Sequence, residues 1–125
     1  SSTPDFLQPS IKVSDPKQCK LEDARWESTS VKEDDFVNAV IKGQNCDGLT
    51  FNLQIYDNDV FTQSDVIEDN AKITIIGDEG RYRWKAVWDW DVVPGFNSEY
   101  SFSAEYPDKS IDLNIVSQNE LTVTR

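Results

Sequence analysis

The stretch Ile73-Thr74-Ile75-Ile76-Gly77-Asp78-Glu79-Gly80-Arg81-Tyr82-Arg83-Trp84-Lys85-Ala86-Val87-Trp88-Asp89-Trp90-Asp91 decides how this chain folds. Ile73 and Ile75 lead into Gly77-Asp78-Glu79-Gly80, where a run of apolar residues breaks in the manner of a hairpin turn. From there Tyr82, Trp84, Ala86, Trp88 and Trp90 share one side, and Arg81, Arg83, Lys85, Val87, Asp89 and Asp91 share the other. A period of two is the geometry of a strand, because successive side chains point to opposite faces.

The same period extends outward in both directions. Ala24 and Trp26 alternate with charged residues, and Val37, Ala39 and Ile41 fall on one side of 36–42. Asn45, Asp47 and Gly48 mark a turn. Phe51, Leu53 and Ile55 then oppose Thr50, Asn52, Gln54 and Tyr56, and Asp57-Asn58-Asp59 ends that strand. After Pro94-Gly95 come Tyr100, Phe102, Ala104 and Tyr106, then Ile111, Leu113 and Ile115, and finally Leu121 and Val123. No segment carries a 3.6-residue apolar stripe. Seven or eight short strands separated by turns predict an all-β chain folded as one antiparallel β-sandwich over residues 19–125.

At 125 residues the chain is one domain's length, and it buries about two-thirds of its unfolded surface when folded. Its hydrophobic content of 38%, with four Trp, four Tyr and six Phe, argues against disorder despite a net charge of −11. That acidic balance disfavours a nucleic-acid partner, since phosphate binding needs Lys and Arg. No run approaches the ~18 apolar residues of a membrane span. There is no histidine, which removes His-dependent triads and ordinary His zinc sites. The chain has no Met and opens Ser1-Ser2-Thr3-Pro4, so it reads as a processed chain or a segment of a longer one.

The two cysteines test the strand pairing. If 24 faces 41 and 26 faces 39 in an antiparallel ladder, partner numbers sum to 65, and so do Cys19 and Cys46. They would then sit opposite each other at the end of that ladder, at a separation that suits a disulfide. Such a bridge favours an oxidising compartment and stabilises by about 3 kcal/mol. Two free, partly buried thiols are the alternative.

These residues also carry a resemblance. Cys19-Lys20-Leu21-Glu22-Asp23-Ala24-Arg25-Trp26, Val31, Asn45-Cys46-Asp47-Gly48, Phe51-Asn52-Leu53-Gln54-Ile55-Tyr56, Ala86-Val87-Trp88 and Glu99-Tyr100-Ser101-Phe102 resemble a loose Ig-like repeat. Such repeats occur in archaeal and bacterial cell-surface and secreted proteins, and in modules attached to secretion-system effectors. The match covers about residues 19–106. It implies an Ig-like sandwich acting as a non-catalytic module that spaces, displays or adheres at the cell surface, and it carries over no functional residues.

Several side-chain groups are candidate sites. Tyr82, Trp84, Trp88 and Trp90 are spaced as a platform for stacking sugar rings, the arrangement of a carbohydrate-binding module. The opposing reading makes that face the core, with Ala86 among the aromatics and charges opposite. Burial of Trp84 and Trp88 separates the two. Arg81, Arg83 and Lys85 form a basic stripe that is expected to pair with carboxylates across strands, or else to grip an anionic glycan or a neighbour's acidic patch. Asp34-Asp35, Asp47, Asp57 and Asp59 supply oxygen donors for Ca²⁺ but follow no ligand spacing, so no metal or cofactor is assigned. Asp89 and Asp91 lie i, i+2 on a strand, about 7 Å apart, with no constellation around them, and no enzyme is expected.

Residues 1–18, with Pro4, Pro9 and Pro16, read as an extended arm. Phe6, Leu7, Ile11 and Val13 are too apolar for an inert tether. They are expected to pack on the domain or to add a strand to a neighbour's sheet edge, a head-to-tail route to a filament. The whole therefore reads as an extracellular structural or interaction module: a surface repeat, adhesin domain or filament subunit whose partners are proteins, with a glycan as the alternative.

Overall fold

The computed structural model describes residues 13–57, 65–88 and 98–125. It is all-β, with nine strands among the described residues: β1 (Lys20–Trp26), β2 (Ser30–Lys32), β3 (Phe36–Gln44), β4 (Thr50–Asp57), β5 (Asp65–Ile76), β6 (Glu79–Lys85), β7 (Ser98–Glu105), β8 (Asn114–Val116) and β9 (Leu121–Thr124). They form a single curled sheet in the order β1-β3-β6-β5-β4-β7-β9-β2, with β8 beside β7.

The long strand β5 makes the curl. Its N-terminal part pairs with β4, whereas only Ile75 and Ile76 pair with β6, opposite Gly80 and Glu79. The β5–β6 hairpin turns on Gly77 and Asp78, and Gly77 holds φ +73°, a conformation that costs a Cβ-bearing residue but not glycine. Asp47 fixes the turn from outside, its Oδ1 accepting the Gly77 amide at 2.7 Å. The sheet's two halves, β1-β3-β6 and β4-β7-β9, thus face one another across a shared core.

That core is what the alternation dictated. Ala24 and Trp26, Val37, Ala39 and Ile41, Phe51, Leu53 and Ile55, Ile73 and Ile75, and Tyr100, Phe102 and Ala104 supply it. Trp26 and Trp84 from one half meet Phe102 and Tyr100 from the other, with ring centroids 5.1 Å (Trp26–Phe102) and 5.2 Å (Trp84–Tyr100) apart. Edge-to-face pairs of this kind contribute about 0.5–1.5 kcal/mol beyond the area they bury. The Trp26 indole N–H donates to the Tyr100 carbonyl at 3.1 Å, so the polar edge of the ring is satisfied inside the core.

The structure corrects the expected architecture in detail. The expected all-β fold is present, and among the described residues the sheet is mixed rather than wholly antiparallel, since the short β2 runs parallel to β9. β6 ends at Lys85 and does not continue to Asp91. Beyond Lys85 the chain leaves β3, and Ala86 instead exchanges backbone bonds with the turn at 34–35: Asp34 N to Ala86 O, and Ala86 N to Asp35 O, both 2.9 Å. Asp34 takes φ +72° there. Ile111 lies in a turn rather than a strand.

The outer edge of β1 is closed by a side chain. Asn119 accepts the Trp26 amide through Oδ1 at 2.8 Å and donates Nδ2 to the Trp26 carbonyl at 3.0 Å, in the manner of a neighbouring strand. The Gln118 amide adds a bond to the Ala24 carbonyl at 2.7 Å. An exposed edge is a template for unwanted pairing, and here one asparagine covers its upper part.

Candidate functional site

Cys19 and Cys46 form a disulfide, with Cα atoms 4.6 Å apart. The register behind it is the one the numbers suggested, Ala24 opposite Ile41 and Trp26 opposite Ala39. Two irregularities then intervene and compensate. A bulge between Leu21 and Asp23 shifts the ladder so that Lys20 faces Gln44. Continued straight, it would set Cys19 against Asn45. Asn45 takes φ +60° instead, and the turn it makes brings Cys46 to Cys19. Gly43 supplies the space: a Cβ there would stand 2.6 Å from the Cys46 Sγ. The segment entering β1 is tied to the same turn, since the Ser14 amide donates to the Asp47 carbonyl at 2.9 Å.

The aromatic run does not lie in one plane at the surface. Trp84 is 5% exposed and packs on Trp26 and Tyr100, so it is unavailable to a ligand. Tyr82 and Trp88 are half-buried and lean on the core. The guanidinium of Arg125 stands 5.6 Å from the Trp88 ring centre, and the Tyr100 hydroxyl donates to the Val87 carbonyl at 2.8 Å. Trp90, Asp89 and Asp91 lie outside the described residues.

The opposite face of β6 carries the basic stripe, and its three cations behave differently. Arg81 pairs with Glu79 at 2.7 Å and with Glu27 across β3, which holds the guanidinium firmly protonated. Arg83 instead lies over the Phe36 ring, 3.8 Å from its centre, a cation–π contact on an exposed phenylalanine. Lys85 has no carboxylate within ion-pair distance among the described residues. Cross-strand pairing with carboxylates therefore describes one of the three.

The face of β4, β5 and β7 turned away from the core holds a groove of about 520 Å³. Asn52 and Gln54 on β4 and Ser103 on β7 make its floor, with Asn52 in register with Glu105 and Gln54 with Ser103. The wall on the β5 side comes from a bulge. Leu53 faces Ala71 and Ile55 faces Glu68, so the single residue Gln54 is opposed by both Asp69 and Asn70. An extra residue bends its strand and re-aims side chains. Alternation fails there, and Asp69 and Asn70 are both exposed above the floor. Lys72 closes one end by donating its Nζ to Asn52 Oδ1 at 2.7 Å, which leaves the Asn52 NH₂ for other partners. The ion pair of Lys109 with Glu105 stands on the β7 side.

Sequence reasoning placed Asn52 and Gln54 outward but did not link them to Asn70 and Ser103. Asn is depleted in strands, so Asn52 and Gln54 on one outward strand face were the available signal.

Of the acidic positions, Asp47 serves the Gly77 turn and Asp57 is buried at the end of β4, while Asp59 lies outside the described residues. Among the described residues no three His, Cys, Asp or Glu side chains stand together as a metal ligand set. Also among them, no helix is long and apolar enough to cross a membrane. Val13 is exposed; Phe6, Leu7 and Ile11 lie outside the described residues. In comparisons with protein-family models and with curated proteins, the sequence matches none.

Proposed function

We propose that this chain is an extracytoplasmic structural or interaction module, an Ig-like surface repeat, adhesin domain or filament subunit, rather than an enzyme. The observation that carries the reading is the Cys19–Cys46 bridge. It sits at the N-terminal end of β1, an end strand of the sheet order, and couples that strand covalently to β3. A load arriving along the N-terminal segment meets the bridge before it can peel β1 from its neighbour. Bridges of this kind persist where the surroundings are oxidising. The negative charge keeps copies of such a module apart in solution.

Within this reading, the apolar positions Phe6, Leu7, Ile11 and Val13 donate a strand to a neighbouring copy. Light scattering on the intact chain and on a variant lacking residues 1–13 tests it. Assemblies that form with the intact chain and vanish on truncation are the expected result. The truncation retains Ser14, so its bond to Asp47 and the disulfide are untouched. Two compact monomers would overturn strand donation.

A further inference from the structure

We infer that the groove across β4, β5 and β7 is a binding site for a neutral oligosaccharide. This site is separate from the aromatic run of β6 and independent of the assembly reading. Three features of the groove lead there.

The first is shape. A regular outward strand face is nearly flat, and this one is concave because the bulge at Asp69 and Asn70 raises a wall beside Gln54. About 520 Å³ falls within the range of small-molecule sites.

The second is hydrogen-bonding chemistry. Asn52, Gln54 and Asn70 each present an amide, and Ser103 adds a hydroxyl. Amides and hydroxyls both donate and accept, which matches vicinal sugar hydroxyls that do the same. The side chains of Gln54 and Asn70 make no hydrogen bond to described residues. Asn52 is held by Lys72, so its orientation is set before a ligand arrives, which lowers the entropy cost of binding.

The third is charge. The groove's two carboxylates, Asp69 and Glu105, are balanced by Lys72 and Lys109, so a locally neutral site exists on a chain of net charge −11. An anionic ligand would meet no excess of positive charge there, and an apolar one would find few apolar walls.

The test is nuclear magnetic resonance of the full ¹⁵N-labelled chain titrated separately with cellohexaose, mannohexaose and xylohexaose, and with hexagalacturonate as the anionic comparison. The proposal expects saturable shifts of the side-chain NH₂ signals of Asn52, Gln54 and Asn70 with at least one neutral hexasaccharide. In the double variant Gln54→Ala/Asn70→Ala the affinity falls about fivefold or more, since the hydrogen bonds of two side chains to the sugar are lost. Both side chains are exposed, and a dispersed spectrum of the variant verifies its fold. No saturable shift with any neutral sugar overturns the proposal. So do shifts confined to the Trp88 indole, which would move binding to the aromatic strand, and binding of hexagalacturonate alone.

Discussion

Reducing the Cys19–Cys46 bridge should lower the stability of this domain by an amount the structure allows one to calculate. The cysteines are 27 residues apart in sequence. Freeing a loop of that length in the unfolded chain returns about 12 cal/mol/K of entropy, or about 3.5 kcal/mol at 25 °C. For 125 residues at about 2.1 cal/mol/K each, the unfolding entropy near the transition is about 0.26 kcal/mol/K. The expected fall in Tm is therefore roughly 13 °C, followed by tryptophan fluorescence with and without reductant, with both thiols titrated to prove reduction.

Gly43→Ala sharpens the experiment. The new Cβ would stand 2.6 Å from the Cys46 Sγ and 2.9 Å from the Lys20 carbonyl oxygen. Overpacking of this kind costs about 1–3 kcal/mol. Once the bridge is reduced the Sγ is free to rotate away, so the variant should lose less on reduction than the parent does. A fall below about 4 °C in the parent would refute the loop-entropy reasoning. An equal loss in both proteins would place the Gly43 clash on the Lys20 carbonyl instead.

Two further outcomes are expected. Chain taken directly from its source cells and alkylated under denaturing conditions without reductant should carry no label, and labelling of both cysteines would sink the extracytoplasmic reading. Glu99 has its carboxyl pKa pushed up, first by burial and then by hydrogen bonding and like charge from Glu120. The folded state therefore holds that proton more tightly than the unfolded chain, and stability falls as pH rises through the folded value. Glu120→Gln should raise Tm at neutral pH and flatten its decline above the ordinary glutamate range; an unchanged pH profile would dismiss the pair as the cause.

Much of the fold was legible because burial here has a period of two. On β3, β4 and β7 every second residue faces the core, and the sequence shows that alternation without knowledge of neighbours. The Gly77-Asp78 turn was legible because its backbone demands glycine at a positive φ. β2 escaped notice: Ser30–Lys32 is short, and its strand character comes from lying parallel to β9 far away in sequence. β6 was read too long for a related reason. Ala86 keeps the alternation and is buried, but its backbone bonds go to the 34–35 turn rather than to β3. A periodic side-chain pattern reports which way residues face, not what their amides bond to.

The groove was hidden by the same limit, and its residues show where sequence reading stops. Within one strand, Asn52 and Gln54 could be placed outward by counting in twos. Their partners sit on β5 and β7, and only the register brings Gln54 opposite Ser103 and beside Asn70. The bulge that raises the wall also erases its own trace, because Val66 to Asn70 no longer alternate in burial. A broken pattern read alone looks like a loop. The feature that gives this face its concavity is thus a departure from the regularity that made the rest of the strands readable. Core-facing positions obey a repeat imposed by burial, whereas a site on the outer face is built from the places where the repeat is broken.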